Sequence, residues 1–303
     1  MQRRTFLQTT SYLSALLVGG IPLSGMSAGQ KQRHGFDVMA PSDEQTLLIF
    51  MAMVNKAQKE QWVQLPIGER MVRFAKEMLN TPYVSATLEG EPEICRAVLT
   101  GLDCVTLFES ALCFARILKK GTTTYNDFVN EITYTRYRDG RLTDYVSRLH
   151  YTTEWIENNV KKRVVRNITQ EIGGSSMALQ LGIMSNNPKF YPALQQHPEY
   201  ITRIGAIEQE LNKGSYFIIP KAQISAIEPL LKTGDIIAIA TNKKGIDYAH
   251  TGLIAVSADG KPHFLHASQT KKKVILDDTM AEYMNSVSTH TGIAVTRPIE
   301  VSL

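Results

Sequence analysis

The stretch Gly101–Leu118, with the sequence GLDCVTLFESALCFARIL, decides how the rest of this chain is organised. Beyond its first residues it is apolar nearly all round a helical projection, and a helix that is apolar on every side lies buried. Asp103 is a favourable N-cap, so Cys104 falls in the first helical turn. Unpaired backbone N–H groups and the helix dipole favour negative charge there. The pattern predicts a nucleophilic cysteine with a lowered pKa, the alternative being a plain core cysteine.

The first 28 residues predict an export signal. Arg3-Arg4 is followed by Phe6-Leu7 and then by a mild apolar run from Tyr12 to Leu23. The arginine pair makes the segment resemble a twin-arginine signal, and the run is too short and too interrupted to span a membrane. No cysteine lies in this segment to carry a lipid, so we expect a periplasmic protein without a stable membrane anchor.

The mature chain has the size and charge of a single large domain. After residues 1–28 and a polar linker over 29–41, we expect one catalytic domain over 42–303. Loss of the two arginines leaves 31 of the 33 basic residues against 29 acidic ones, a balance that does not call for nucleic acid. A hydrophobic fraction of 43% is ordinary for a globular protein.

The three cysteines, Cys95, Cys104 and Cys113, leave at least one thiol free. Cys104 and Cys113 are half a turn out of phase and about 13 Å apart along one helix, so they cannot form a disulfide. We expect Cys113 in the core and Cys95 in a loop, where a pairing with Cys104 stays open.

The order of the predicted elements indicates an α+β fold. Helices are predicted from about residue 42 to Gln61, from Pro66 to Leu79, over the central stretch, over Tyr125–Tyr137, over Glu199–Asn212 and over Lys221–Lys232. From Gly234 onward the chain turns to short apolar strands at residues 235–240, 250–256, 262–267, 274–276 and 292–297. We therefore expect a helical insertion at about 122–232 ahead of a sheet.

Two histidines lie on strands joined by a tight turn. If Ala258-Asp259-Gly260 is a three-residue loop with Gly260 left-handed, Ser257 pairs with Lys261. That register places His250 and His266 on one face as diagonal neighbours, with backbones about 7–8 Å apart. A two-residue loop would place them on opposite faces, so the pairing of the two imidazoles depends on the turn.

Four short motifs in a fixed order resemble the NlpC-type cysteine peptidases and amidases of bacterial cell walls, which are relatives of papain. They are Leu-Asp-Cys104 at a helix start, Gly-Asp235-Ile-Ile-Ala-Ile, His250-Thr-Gly-Leu-Ile and Leu-His266-Ala-Ser. The resemblance implies a papain-like NlpC-type fold, in which a central helix that bears the nucleophile packs on an antiparallel sheet, here with added helical segments.

Three longer stretches resemble the N-acetylmuramoyl-L-alanine amidase-like branch of that superfamily. They are Thr81-Pro82-Tyr83-Val84, Arg136-Tyr137-Arg138-Asp139-Gly140 and Ser147-Arg148-Leu149-His150-Tyr151. The commoner NlpC-type enzymes have a small polar residue after the cysteine, whereas this chain has Val105. That departure disfavours their endopeptidase specificity.

The resemblance to this branch implies a cysteine amidase that acts on peptidoglycan or muropeptides. Cys104 attacks as a thiolate, His250 holds it as an ion pair and protonates the leaving amine, and His266 orients His250. The backbone N–H of Cys104 stabilises the oxyanion, and the resemblance implies that the Tyr83 hydroxyl helps. The resemblance to the amidase-like branch implies that the attacked carbonyl is that of the muramic acid lactyl group, and that L-alanine leaves through a thioester intermediate. Contacts to the peptide stem or sugar are predicted for Asp103, Arg148 and Tyr151, and no metal or cofactor is expected.

Three alternatives stay open at this stage. Cys104, His250 and His266 could bind zinc in a zinc amidase, although no acidic ligand or glutamate is spaced suitably. A γ-D-glutamyl-diamino acid endopeptidase would share the fold, and a wall-binding protein would need no chemistry. The aromatic and polar segment Tyr137–Trp155 suits a sugar ring and favours the amidase. The oligomeric state is left open.

Overall fold

An eight-stranded antiparallel sheet runs through residues 44–302, the part of the chain that the computed structural model describes. Its strands are β1 (Val165–Asn167), β2 (Ser175–Met177), β3 (Tyr216–Pro220), β4 (Ile236–Thr241), β5 (Tyr248–Val256), β6 (Pro262–Ser268), β7 (Lys273–Thr279) and β8 (His290–Pro298). Their spatial order is β2-β3-β8-β4-β5-β6-β7, and β1 pairs with β8. The predicted signal at 1–28 and linker at 29–41 lie outside the described residues.

Ten helices surround this sheet within the described residues. They are α1 (Glu44–Lys59), α2 (Ile67–Glu77), α3 (Cys104–Lys120), α4 (Tyr125–Arg136), α5 (Thr152–Lys161), α6 (Ile183–Asn186), α7 (Pro192–Gln196), α8 (Glu199–Leu211), α9 (Ile224–Ile227) and α10 (Met280–Ser286). Shorter 3₁₀ turns lie at Trp62–Gln64, Arg138–Gly140, Tyr145–Ser147, Pro188–Phe190, Lys221–Gln223 and Glu228–Leu230. Over this part of the chain, none of the helices combines the length and the apolar character that a bilayer crossing requires. The α+β class is confirmed.

The central helix α3 begins and ends where the sequence indicates. The Asp103 carboxylate accepts hydrogen bonds from the N–H groups of Val105 and Thr106, and the Thr106 hydroxyl accepts one from the Asp103 N–H. Gly121, at φ 71°, ends the helix in the left-handed conformation that glycine adopts readily. Every residue from Thr106 to Leu118 is buried, which confirms the prediction of a buried helix.

The sheet carries a separate apolar layer on each face, because successive residues of a strand point to opposite sides. Ile236, Ala238, Leu253, Ala255 and Leu265 pack with α2, α3 and α4 in the larger core. The alternate residues of the same strands, among them Ile237, Ile239, Ile254, Phe264 and Ile293, pack with Met280 and Met284 of α10 and with α9. The molecule is therefore layered, with α3 on one face of β5 and α10 on the other.

The region at about 122–232 adds more than helices. Its strands β1, β2 and β3, which the sequence did not indicate, extend the sheet beyond β8. The predicted helix at Lys221–Lys232 is reduced to short turns around α9, whereas α8 matches the helix predicted at Glu199–Asn212. A third apolar cluster, which includes Tyr145, Tyr151, Leu194 and Ile204, holds the helices of this region together.

Buried ion pairs fasten the helices to one another. Glu131 on α4 accepts a hydrogen bond of 2.6 Å from Arg116 on α3 and also pairs with Lys120. Glu109 on α3 pairs with Arg136 at 2.8 Å and accepts a bond from the Trp155 indole. Breaking a buried pair by removing one partner costs more than the pair contributes, because the other charge stays buried and uncompensated.

We predict that Glu131→Ala lowers the free energy of unfolding by about 3–5 kcal/mol, because Arg116 is left buried without its carboxylate. The measurement is urea denaturation followed by circular dichroism. Glu210→Ala, which removes an exposed pair with Lys213, serves as the control and should stay near the parent protein. Equal losses for the two variants would contradict the structural importance of the buried pair.

Candidate active site

The thiol of Cys104 lies where α3 meets β5. Cys104 is the first residue of α3, and this helix packs directly on β5. Hydrogen bonding by Thr251, the residue after His250, acts to lower the pKa of the Cys104 thiol. The buried Thr251 hydroxyl has no nitrogen or oxygen partner within residues 44–302. The thiol therefore lies beside the segment of β5 that carries His250.

The hairpin that carries the two histidines has the register expected from its turn. Leu253 pairs with Leu265 and Val256 with Pro262, the Ser257 N–H donates to the Lys261 carbonyl, and Gly260 is left-handed at φ 81°. The prediction that His250 and His266 share one face is thereby confirmed. Both lie just beyond the Leu253–Leu265 end of this ladder, and a bulge at Ala249 bends β5 next to His250.

A line of hydrogen bonds runs from a carboxylate through both imidazoles. His250 Nε2 is 2.7 Å from His266 Nδ1, and His266 Nε2 is 3.1 Å from Asp277 Oδ2. Asp277 is on β7, two residues beyond Ile275, the partner of His266 in the β6–β7 ladder. It reaches His266 by the same diagonal geometry that joins the two histidines.

This line fixes which nitrogen of His250 is basic. A carboxylate oxygen can only accept, so His266 Nε2 carries the hydrogen and its Nδ1 is left with a lone pair. That lone pair accepts from His250 Nε2–H. Nδ1 of His250 is then the free, basic nitrogen, which suits a group that removes the proton of a nearby thiol.

The electrostatics of the free site favour neutral groups. Burial, followed by the Asp103 carboxylate, raises the pKa of the Cys104 thiol to about 11, although hydrogen bonds from Thr251 oppose the change. Burial and the neighbouring His266 and His290 lower the pKa of His250 to about 3. The expectation of a lowered cysteine pKa and a resting thiolate–imidazolium ion pair is wrong for the free protein, because loss of water outweighs the N-terminal position on the helix.

Aromatic rings surround the two imidazoles on the face opposite α3. Phe264 stacks on His266 with ring centroids 4.7 Å apart, and Tyr283 of α10 lies 4.9 Å from His266 and 6.4 Å from His250. Gly252 permits this approach, because a Cβ there would lie 2.6 Å from the Phe264 ring. Cys104 contributes to the raised pKa of the Tyr283 phenol, so Tyr283 is also near the thiol. The thiol, His250 and Tyr283 thus border one site.

Tyr83 lies beside the segment that leads into α3. Its backbone N–H donates to the Lys272 carbonyl and its segment pairs with Leu102, just before Cys104. Burial, and then Cys104 and Asp103, raise the pKa of Tyr83, so its hydroxyl stays a neutral donor. The cap on α3 takes the N–H groups of Val105 and Thr106 and leaves that of Cys104 available.

A cavity of about 360 Å³ adjoins the start of α3. Asp103 and Val105, which flank Cys104, line it together with Asp247 and Tyr248 at the start of β5. Its walls are aromatic and polar, and include Phe108, Tyr145, Arg148, His150, Tyr151, Trp155 and Tyr191. Burial lowers the pKa of His150 to about 3, so this imidazole is neutral. A cavity of this size and chemistry fits a single sugar ring or a short peptide.

The three residues predicted to contact substrate all line this cavity, but their polar atoms are already engaged. Asp103 caps α3. Arg148 donates to Glu89 at 2.7 Å and to the Leu88 carbonyl, and its guanidinium lies over Tyr145. Tyr151 donates to the buried Glu208. Their contacts to substrate stay a prediction, and the structure shows them chiefly as wall-forming residues.

Sequence reasoning missed Asp277, Tyr283 and the cavity residues Asp247 and Tyr191. Asp277 was one residue beyond a strand whose prediction ended at Leu276, so extending the diagonal rule to that strand would have found it. Tyr283 left no sequence signal, because it reaches the site only through the packing of α10 on β6 and β7.

The geometry disfavours the zinc alternative. His250 Nε2 and His266 Nδ1 are 2.7 Å apart, too close for a metal bound between them at its usual distances. Over residues 44–302 no group of three or more His, Cys, Asp or Glu side chains is arranged to hold a metal ion. Within the same range all three cysteines are free thiols, with Cys95 and Cys113 buried.

This chain resembles a known protein family and several solved structures. The AmiA-like family, described as N-acetylmuramoyl-L-alanine amidase-like, matches residues 73–296. Two crystal structures of an N-acetylmuramoyl-L-alanine amidase from Bacteroides uniformis are 34% and 33% identical to it, with TM-scores of 0.73 and 0.72. Each match covers 77% of this chain and 99% of the Bacteroides uniformis chain.

A more distant structure shares the fold alone. A protein from Legionella pneumophila is 18% identical, with a TM-score of 0.63 over 84% of this chain and 95% of its own. Curated protein sequences gave no match.

We predict that alkylation of Cys104 by iodoacetamide rises about tenfold per pH unit from pH 7 to pH 10, because the thiolate reacts and the pKa of the thiol is about 11. Intact-protein mass spectrometry measures the rate. The Cys104→Ala protein is the control, since the remaining two thiols are buried and their pKa values are raised. A rate already level between pH 5 and pH 8 would indicate a resting ion pair instead.

Proposed function

The chain belongs to the AmiA-like, N-acetylmuramoyl-L-alanine amidase-like family of peptidoglycan hydrolases, and we propose that it is a cysteine-dependent amidase. Its substrate is the amide between the lactyl group of muramic acid and L-alanine. The observation that carries the proposal is the hydrogen-bonded line from Asp277 through His266 to His250, next to the helix start that presents Cys104.

The first half-reaction forms a thioester. The Cys104 sulfur attacks the lactyl carbonyl carbon while the thiol proton passes to Nδ1 of His250. The C–N bond then breaks, and the leaving nitrogen takes that proton from His250. Because both groups are neutral in the free protein, proton transfer accompanies the attack instead of preceding it.

The second half-reaction restores the enzyme. Water gives a proton to His250 Nδ1 as its oxygen attacks the thioester carbonyl, and the C–S bond breaks with the proton returned to sulfur. The backbone N–H of Cys104 and the hydroxyl of Tyr83 donate to the oxyanion in both steps. The neutral phenol that burial favours at Tyr83 suits this role.

The cavity beside α3 receives the muramic acid in this proposal. It touches both neighbours of Cys104, and its aromatic walls offer flat apolar faces to a sugar ring. Asp103, Arg148 and Tyr151 shape it through their bonds to the surrounding protein, and Val105 leaves its rim apolar. These aromatic walls favour the sugar that an amidase holds on the acyl side over the acyl-side peptide of a γ-D-glutamyl-diamino acid endopeptidase. A wall-binding protein without catalysis would have no need of the aligned imidazoles.

We also propose a papain-like NlpC-type architecture and periplasmic location. A nucleophile at the start of a helix that packs on an antiparallel sheet with two histidines supports the first. The arginine pair and apolar run at the start of the sequence support the second, with export by the twin-arginine route.

We predict that a defined muramoyl tripeptide, N-acetylmuramoyl-L-alanyl-D-glutamyl-diaminopimelate, gives free muramic acid derivative and tripeptide, as detected by mass spectrometry. Cys104→Ala should abolish the reaction, whereas Cys113→Ala should retain it because that thiol is buried in the core away from the site. The sugar-free tripeptide should be inert. Its cleavage between D-glutamate and diaminopimelate at a similar rate would favour the endopeptidase, and turnover by Cys104→Ala would refute the nucleophile.

We predict that Asp277→Asn lowers kcat by about 10²-fold with little change in KM, because the substitution favours the unproductive tautomers of His266 and His250. Oδ1 of Asp277 accepts the Asp278 N–H, which would turn the asparagine NH₂ toward His266. His266 would then donate from Nδ1, and His250 would carry its hydrogen on the nitrogen that must be basic.

Asp277→Ala is the matched control, since it removes the carboxylate without imposing a tautomer. The tautomer argument requires the asparagine variant to be at least as slow as the alanine variant. An asparagine variant near wild-type activity would show that Asp277 does not orient the pair.

A further inference from the structure

The face of the sheet opposite α3 carries a group of residues that the proposed reaction leaves without a role. His290, at the start of β8, has its ring 5.9 Å from that of Tyr283, which in turn lies near both His250 and His266. His290 is 8% exposed, and its Nδ1 is buried without a hydrogen-bond partner in residues 44–302. A buried imidazole nitrogen without a partner in a site commonly awaits a water or a ligand.

Two lysines lie close to His290. Lys221 follows β3 and donates to the Val287 carbonyl at 2.9 Å, and Lys243 lies in the β4–β5 turn, where its N–H donates to the Thr241 hydroxyl. Thr241 is the ladder partner of His290. Neither ammonium group forms an ion pair with a carboxylate in the described part of the chain, so both can serve an anionic ligand.

The positive charge of this corner lies at its His290 end, on Lys221 and Lys243. Burial, and then Lys221 and Lys243, lower the pKa of His290, which is therefore a neutral ring with one donor and one acceptor. The nearby carboxylate of Asp277 is already engaged by His266 and by the Asp278 N–H. A carboxylate that approaches His290 would meet two ammonium groups that form no ion pair within residues 44–302. Asp277 keeps its negative charge, but it acts at the Tyr283 end of this corner.

The mechanism of amide cleavage indicates which half of the substrate binds near Tyr283 and His290. The group that protonates the leaving amine must face it, so the leaving half extends from His250 on the side away from the acyl pocket. In the proposed function the cavity beside Asp103 and Val105 is the acyl side. Tyr283 lies near His250 on the face of the sheet that carries α10, and the His290 ring lies near that of Tyr283. The leaving half in this reaction is the peptide that starts at L-alanine and carries several carboxylates.

We propose that Tyr283, His290, Lys221 and Lys243 form the binding site for the acidic leaving peptide. The inference rests on the proposed amidase function and deepens it, because it assigns a surface to the half of the substrate that the cavity does not hold. Tyr283 and His290 flank the first residue of the peptide, and the two ammonium groups attract the carboxylates that follow.

The test compares two substrates with the same scissile bond. One is the muramoyl tripeptide, whose leaving half is acidic, and the other is muramoyl-L-alanine amide, whose leaving half has no carboxylate. Lys243→Glu should lower kcat/KM for the tripeptide substrate about tenfold more than for the amide, and Lys243→Met should give a smaller loss of the same kind. Added salt should reduce the difference between the substrates in the parent protein.

Lys244→Glu is the matched control, because it makes the same charge change in the same exposed turn, whereas Lys243 and not Lys244 lowers the pKa of His290. Its two substrates should react as in the parent protein. Equal losses for Lys243→Glu and Lys244→Glu, or equal losses for both substrates, would overturn the subsite. Failure of the parent protein to cut the muramoyl–alanine bond in either substrate would refute the amidase function instead.

Discussion

The hydrogen-bonded line from Asp277 to His266 to His250 is the constraint on which the rest of the site depends. A carboxylate that can only accept sets the tautomer of one imidazole, and that imidazole sets the tautomer of the next. The result is a lone pair on Nδ1 of His250 with no need for a charge in the resting protein. Three neighbouring strands, β5, β6 and β7, must keep their relative register for this line to exist.

The layered fold separates the roles of the two sides of β5. One face of the strand packs on α3, which is buried along its length and fixed by capping and by ion pairs to α4. The other face holds the imidazoles among Phe264, Tyr283 and His290. Cys104 lies at the start of α3, which packs on β5, and the bulge at Ala249 interrupts the ladder near the end of that strand. The proposed acyl and leaving-group sites follow from this division.

Burial determines the resting protonation states of Cys104 and His250. Removal of water raises the pKa of Cys104 and lowers that of His250, so the pair is held neutral until substrate arrives. The polar groups around the cavity are satisfied by protein partners, as Arg148 is by Glu89 and Tyr151 by Glu208. Such a preorganised wall loses little conformational entropy when substrate binds, because its side chains are already ordered.

The sequence by itself determined the local features of this protein. The N-cap at Asp103, the apolar helix behind it and the turn at Gly260 place Cys104 at a helix start and both histidines on one face, since capping and hairpin register are properties of neighbouring residues. Only the tertiary structure decided the rest. Asp277 and Tyr283 join the site through the packing of β7 and α10, and β1 to β3 enter the sheet through contacts distant along the chain. The pKa of Cys104 rises because burial, which no local pattern measures, outweighs the helix start.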